Sequence, residues 1–278
     1  MLIFLNGRFV PENRAVVSVF DRGFLYGDGM FETLRVCNGR PFRWAQHLER
    51  LQRGAKFLKI KLPFSPGKLL TAAGKLVAKN KMPDALLRIT LSRGVGLRGY
   101  SPKGANSPTL VMSLHPAPAA KPATWRLITA PLRLPVNDPL ARFKTANKLT
   151  QVLARTAADE AGVDDALLLN ASGRVVEATA GNLFWVSNDV VCTPPLSAGI
   201  LPGITRAVIL EICRKLKIKT RERAPRAKEL SSAQGVFLSL SSRGIVEAAE
   251  LDGQKLRRTA VVRQLKAAYA ECLRAETA

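Results

Sequence analysis

At 278 residues, the chain is long enough to bury a substantial core in one large domain or two smaller ones. A composition of 47% hydrophobic and 23% charged residues excludes a disordered or fibrous chain. The formal net charge of +22 makes anion binding a theme, but Lys and Arg are spread along the whole length. No RNP-like aromatic motif, Cys2His2 spacing or basic tail accompanies them, so a basic nucleic acid-binding protein without catalysis is the distant reading.

Met1 to Leu5 is apolar but ends at Asn6-Gly7-Arg8, too soon for a signal-peptide core or a membrane span, so a cytoplasmic protein is expected. The same segment predicts a hairpin, with Leu2 to Leu5 and Phe9-Val10 flanking the Asn-Gly dipeptide. A strand-rich unit follows. Leu48, Leu51, Ala55 and Leu58 share one face of a helix over 47–58, and 66–77 is a second amphipathic helix. Ala85 to Leu91 and Thr109 to Leu114 are expected as buried strands.

The short stretch Pro116-Ala-Pro-Ala-Ala-Lys-Pro122 offers nothing to a core and predicts a connector. The expected organisation is an N-terminal α/β lobe over 1–115, a linker over 116–124 and a C-terminal lobe over 125–278. Beyond the linker, the pattern gives a strand at 125–129, a helix over 147–161 and a strand pair, 166–169 and 175–176, around Ser172-Gly173. Strands at 183–186 and 190–193 and helices over 204–216 and 259–274 complete an α+β pattern without regular βαβ alternation. Cys37, Cys192, Cys213 and Cys272 lack C-x-x-C spacing, and His47 and His115 are the only histidines, so neither a metal site nor a disulfide framework is expected.

Lys144 precedes the 147–161 helix beside Arg142 and Phe143, a setting in which burial and a neighbouring cation favour a nucleophilic amine. Glu177 ends a strand and is followed by the small-residue run Ala-Thr-Ala-Gly-Asn182, where backbone can approach a flat ligand. Gly199-Ile-Leu-Pro-Gly203-Ile204-Thr205-Arg206 opens a helix and suits a phosphate dianion. Arg50 and the pair Ser241-Ser242 are further candidates for the same anion.

The run Asp21-Arg-Gly-Phe-Leu-Tyr-Gly-Asp-Gly-Met-Phe-Glu-Thr-Leu-Arg35, followed by Asn38-Gly39 and His47-Leu-Glu-Arg-Leu51, strongly resembles the N-terminal signature of the class IV, fold type IV enzymes that use pyridoxal 5'-phosphate (PLP). The later motifs around Lys144, Glu177 and Gly203 resemble that family in the same order. The resemblance implies a small N-terminal α/β lobe and a larger C-terminal lobe with PLP between them, in a homodimer whose partner closes each site. It implies that Lys144 holds PLP as an aldimine and moves the substrate's α-proton, and that Glu177 pairs with the pyridine nitrogen. Arg50, Ile204, Thr205, Ser241 and Ser242 would hold the phosphate, Asn182 would support the cofactor, and Tyr26 and Glu32 would lie near the site.

The family includes D-amino acid and branched-chain aminotransferases and 4-amino-4-deoxychorismate lyases. Phe31, Arg98 and Tyr100 fall at substrate-contacting positions, and Arg98 matches a carboxylate-trapping arginine of the D-amino acid enzymes. Phe31 and Tyr100 stand where those enzymes tend to have tyrosine and histidine, which leaves the trap incomplete. The Arg98-Gly-Tyr100 ending and Lys148 after Asn147 are similar to the lyases, while Arg243-Gly-Ile-Val-Glu247 departs from the branched-chain pattern. The expected activity is transamination between a small amino acid and a 2-oxo acid, with the lyase reaction to 4-aminobenzoate and pyruvate as the alternative.

Overall fold

The computed structural model describes residues 1–118 and 124–278, so most of the expected proline-rich connector lies outside the described residues. The chain divides into two compact units. The first contains Met1–Ala117, Phe143–Asn147 and Arg274–Ala278, and the second Pro118–Arg142 and Lys148–Leu273. Both units mix helices with strands, an α+β pattern. Among the described residues, no helix is long and apolar enough to cross a membrane.

The first unit begins with the hairpin of β1 (Leu2–Leu5) and β2 (Arg8–Pro11). Asn6 and Gly7 turn it at φ of 48° and 93°, which Asn-Gly accepts with little strain. There follow α1 (Arg22–Tyr26), β3 (Gly29–Cys37), β4 (Arg40–Pro41), α2 (Trp44–Phe57), α3 (Pro66–Asn80), β5 (Ala85–Ser92) and β6 (Thr109–Pro116). The strands form one antiparallel sheet in the order β2-β1-β6-β5-β3-β4. The α3 helix starts as its sequence dictates, with Pro66 in the first turn and the Ser65 hydroxyl accepting from the Lys68 N–H. Leu48, Leu51 and Ala55 of α2 and Leu69, Ala73 and Leu76 of α3 pack with Leu34, Leu87, Ile89 and Met112 of the sheet. Each fully buried Leu or Ile contributes about 1.5–3 kcal/mol, so this face anchors both helices.

The second unit contains β7 (Thr124–Leu134), α4 (Leu149–Glu160), β8 (Asp165–Asn170), β9 (Val175–Ala178), β10 (Asn182–Ser187), β11 (Val190–Thr193), α5 (Ile204–Lys215) and β12 (Thr220–Glu222). It continues with α6 (Ala227–Ser231), β13 (Gly235–Leu240), β14 (Gly244–Leu251), β15 (Gln254–Lys255) and α7 (Ala260–Thr277), whose residues from Arg274 on are counted with the first unit. The sheet order is β12-β11-β10-β13-β14-β7-β8-β9, with β15 on β14. Pairs β11–β12, β14–β7 and β7–β8 are parallel and the rest antiparallel. A final pairing of Asn182 with Glu177 joins β9 to β10, so two candidate residues meet. The expected 125–129 strand continues to Leu134 through an irregularity between Thr129 and Arg133.

Candidate active site

Within the first unit, β3 alternates, so Met30, Glu32, Leu34 and Val36 are buried while Phe31 and Thr33 face the other side. The Phe31 N–H donates to the Lys144 carbonyl at 2.9 Å, and the Ala146 N–H donates to the Gly29 carbonyl at 2.9 Å. Met30 and Thr145 form an antiparallel bridge. Residues 143–147 therefore dock as a short extended segment along the start of β3, and the expected helix starts only at Leu149. Phe143 packs against Phe57 with ring centroids 4.7 Å apart.

Lys144 is half-buried, with Nζ 4.7 Å from the centre of the Phe31 ring. The Arg88 guanidinium lies 3.9 Å from the same ring. Burial pushes the Arg88 pKa down. Sequence reasoning did not single out Arg88, because its distance from Phe31 and Lys144 along the chain hides the meeting created by β3–β5 pairing.

Arg50 and Glu32 form a buried, two-bond pair: Nε to Oε1 and Nη2 to Oε2, both 2.7 Å. His47 Nδ1 lies 2.7 Å from Glu32 Oε2. Burial alone would raise the Glu32 pKa, but the Arg50 charge and hydrogen bonds, helped by His47, hold it down at about 2. Burial lowers the His47 pKa against the opposing pull of Glu32, with the Arg50 and Lys144 charges adding to the lowering. One edge of the Arg50 guanidinium is thus given to Glu32, which fixes its orientation.

Arg98 and Tyr100 lie in the loop after β5 and are exposed, Tyr100 to 87%. Tyr26 meets Tyr100 edge-on at 5.5 Å. The structure thus attaches the substrate-loop candidates to α1 and leaves their side chains in solvent.

In the second unit, Glu177 lies opposite Asn182. The Leu201 N–H donates to Glu177 Oε2 at 3.1 Å, and Asn182 Nδ2 donates to the Leu201 carbonyl at 2.9 Å and to Glu177 Oε2 at 3.4 Å. Gly203 immediately precedes α5 and has no side chain with which to cap Ile204, Thr205 or Arg206. A Cβ on Gly203 would fall 2.0 Å from Asn182 Oδ1, so glycine is required by close approach. Ser239, opposite Asn182 on β13, has a buried hydroxyl without a hydrogen-bond partner among the described residues. Ser241 and Ser242 follow in the β13–β14 turn, half-buried. Burial lowers the Lys148 pKa, while the charges of Glu177 and Asp138 act against the shift.

The first unit therefore offers a positioned lysine beside an aromatic ring, and the second a carboxylate and an uncapped helix start suited to an anion.

The class IV aminotransferase family model matches residues 29–251. A protein named as a branched-chain amino acid aminotransferase in Methanocaldococcus jannaschii is 38% identical over 256 residues, covering 91% of this chain and 89% of that protein. The crystal structure of the T.th. branched-chain amino acid aminotransferase with pyridoxamine 5'-phosphate superposes with a TM-score of 0.91 at 28% identity, covering 97% of this chain and 93% of that one. The 4-amino-4-deoxychorismate lyase structure from Pseudomonas aeruginosa gives 0.86 at 33% identity, covering 97% and 98%. The chain belongs to the class IV aminotransferase family of PLP-dependent, fold type IV enzymes.

Proposed function

We propose that this protein is a PLP-dependent aminotransferase that moves an amino group between a small amino acid and a 2-oxo acid. The observation that carries the reading is Lys144: its backbone is fixed on β3 and its half-buried amine sits over Phe31. A lysine serving only solubility would have no need of such a docked segment. The donor set suits PLP, because the uncapped α5 start, the close Gly203–Asn182 approach and the buried Ser239 hydroxyl fit an anionic group.

Lys144 would hold the cofactor covalently and carry the substrate's α-proton on Nζ. Glu177, already oriented by the Leu201 N–H, would keep the pyridine nitrogen protonated. Arg50, Ile204, Thr205, Ser241 and Ser242 would bind the phosphate, and Asn182 would brace the ring side of the site. The cofactor supplies an electron sink for the carbanion that proton removal creates. Phe31, Arg98 and Tyr100 would contact substrate, joined by Arg88, whose guanidinium shares the Phe31 ring with Lys144.

A homodimer accompanies this reading. Phe20, Phe24 and Leu97 are each more than half exposed, and the Asp21–Val95 bridge joins the two segments that carry them. Sedimentation analysis of the full chain is expected to give a dimer.

The lyase reading is favoured by two features, the Arg98-Gly-Tyr100 ending and, separately, Lys148, whose pKa burial lowers against the charges of Glu177 and Asp138. The deciding assay follows half-reactions with D-alanine, L-leucine and L-glutamate beside pyruvate release from aminodeoxychorismate. Turnover of an amino acid supports the proposal; conversion of aminodeoxychorismate alone rejects it.

A further inference from the structure

Arg22 is 3% exposed, yet its guanidinium is directed to a loop almost eighty residues away in sequence. Nη1 donates to the carbonyls of Gly99 at 2.8 Å and Ser101 at 3.2 Å, and Nη2 donates to the Tyr100 carbonyl at 2.9 Å. Nε donates to Asp28 Oδ2 at 2.8 Å. Three successive carbonyls of one loop are thus gathered on one buried cation.

The anchor is itself anchored. Asp28 receives Arg93 on both carboxylate oxygens, at 2.7 and 3.0 Å, and Arg93 also donates to the carbonyls of Leu58 and Lys59 where α2 ends. Burial acts to raise the Asp28 pKa, but hydrogen bonds and charge from Arg93 and Arg22 outweigh it and lower the pKa overall. Asp28 therefore stays ionised between two guanidinium groups.

A second attachment lies alongside. The Gly99 N–H donates to the Tyr26 hydroxyl at 3.0 Å, and the Tyr26 ring lies 4.9 Å from the Arg22 guanidinium. Gly96 leaves room for the arginine's methylenes, since a Cβ there would come within 2.9 Å of Arg22 Cδ. The three carbonyls of 99–101 and the Gly99 N–H are engaged, while the side chains of Arg98 and Tyr100 remain exposed. A buried brace that holds backbone and leaves side chains outside presents those side chains to a ligand.

We propose that Arg22 is a positioning residue for substrate selection, which fixes the 99–101 backbone and so sets how Arg98 and Tyr100 meet a substrate carboxylate. The proposal rests on the reading of this loop as substrate-contacting in a PLP enzyme. Arg22 touches neither substrate nor cofactor; it acts through the loop.

The test uses the full-length PLP-loaded enzyme as wild type, Arg22→Lys and Tyr26→Phe, the last removing one hydroxyl and keeping the ring. Single-turnover rate constants are measured for the best amino acid donor and for n-butylamine, which has no carboxylate, together with amide exchange over 97–102. The expected result is about a tenfold fall in the amino acid to butylamine ratio for Arg22→Lys and a smaller fall for Tyr26→Phe, with the cofactor absorption retained and exchange faster. An equal loss for both donors, or an unchanged ratio, overturns the proposal. Wild-type protein without a PLP band overturns the functional reading along with it, whereas a normal band with an unchanged ratio overturns this proposal alone.

Discussion

Arg50 and Glu32 are joined by two bonds of 2.7 Å inside the first unit, with His47 on the same carboxylate. The pair gives acid stability a defined shape. The folded Glu32 pKa, at about 2, lies below its usual value of 4.5, so its contribution is complete above pH 4.5 and is lost as pH falls toward 2. His47, also lowered, adds a loss that starts below its usual 6.5. Urea unfolding measured from pH 7 to pH 3 is expected to show a steep decline in the wild type and a shallower one below pH 4.5 in Glu32→Gln. Glu32→Ala, which removes both bonds and the charge that Glu32 gives to Arg50, is expected to lose about 3–5 kcal/mol at pH 7.

Gly203→Ala tests the second unit. The added methyl group meets Asn182 Oδ1, so Asn182 must shift and loosen its bonds to Leu201 and Glu177. Equilibrium titration with PLP is expected to show at least about tenfold weaker binding, with thermal stability lowered by no more than about 1–2 kcal/mol.

Glu177→Gln keeps an acceptor for the Leu201 N–H and removes the charge. Pre-steady-state kinetics are expected to show about a hundredfold slower α-proton removal with cofactor binding retained. Loss of binding in place of the rate would assign Glu177 to holding the cofactor alone.

Arg88→Leu removes one of the two cations over Phe31. The expected effect is about a tenfold higher KM for amino acid donors with kcat nearly constant, the signature of lost carboxylate binding.

Local structure was legible where neighbouring residues decide it. Asn6-Gly7 specifies its turn, and the apolar spacing around Leu48 and Leu51 marks α2, as the amphipathic stretch from Pro66 marks α3. The strand β14 was harder, because Gly-Ile-Val-Glu-Ala-Ala-Glu-Leu contains good helix formers and only pairing with β13 and β7 makes it extended. The start of α4 was misplaced for a similar reason: residues 143–147 give their backbone to β3. The candidate residues were legible as motifs, but their partners were not. Arg22 reaches Gly99, Glu32 reaches Arg50 and Arg88 reaches Phe31 only through tertiary pairing, which no local pattern records.

If Lys144 holds the cofactor, borohydride reduction of the PLP-loaded protein followed by peptide mass mapping will place the label on it. A pyridoxyl adduct on the peptide carrying Lys144, absent from Lys144→Ala together with the visible absorption band, is the predicted result. An adduct confined to another lysine, or none in a protein that turns over its substrate, would rule out that role for Lys144.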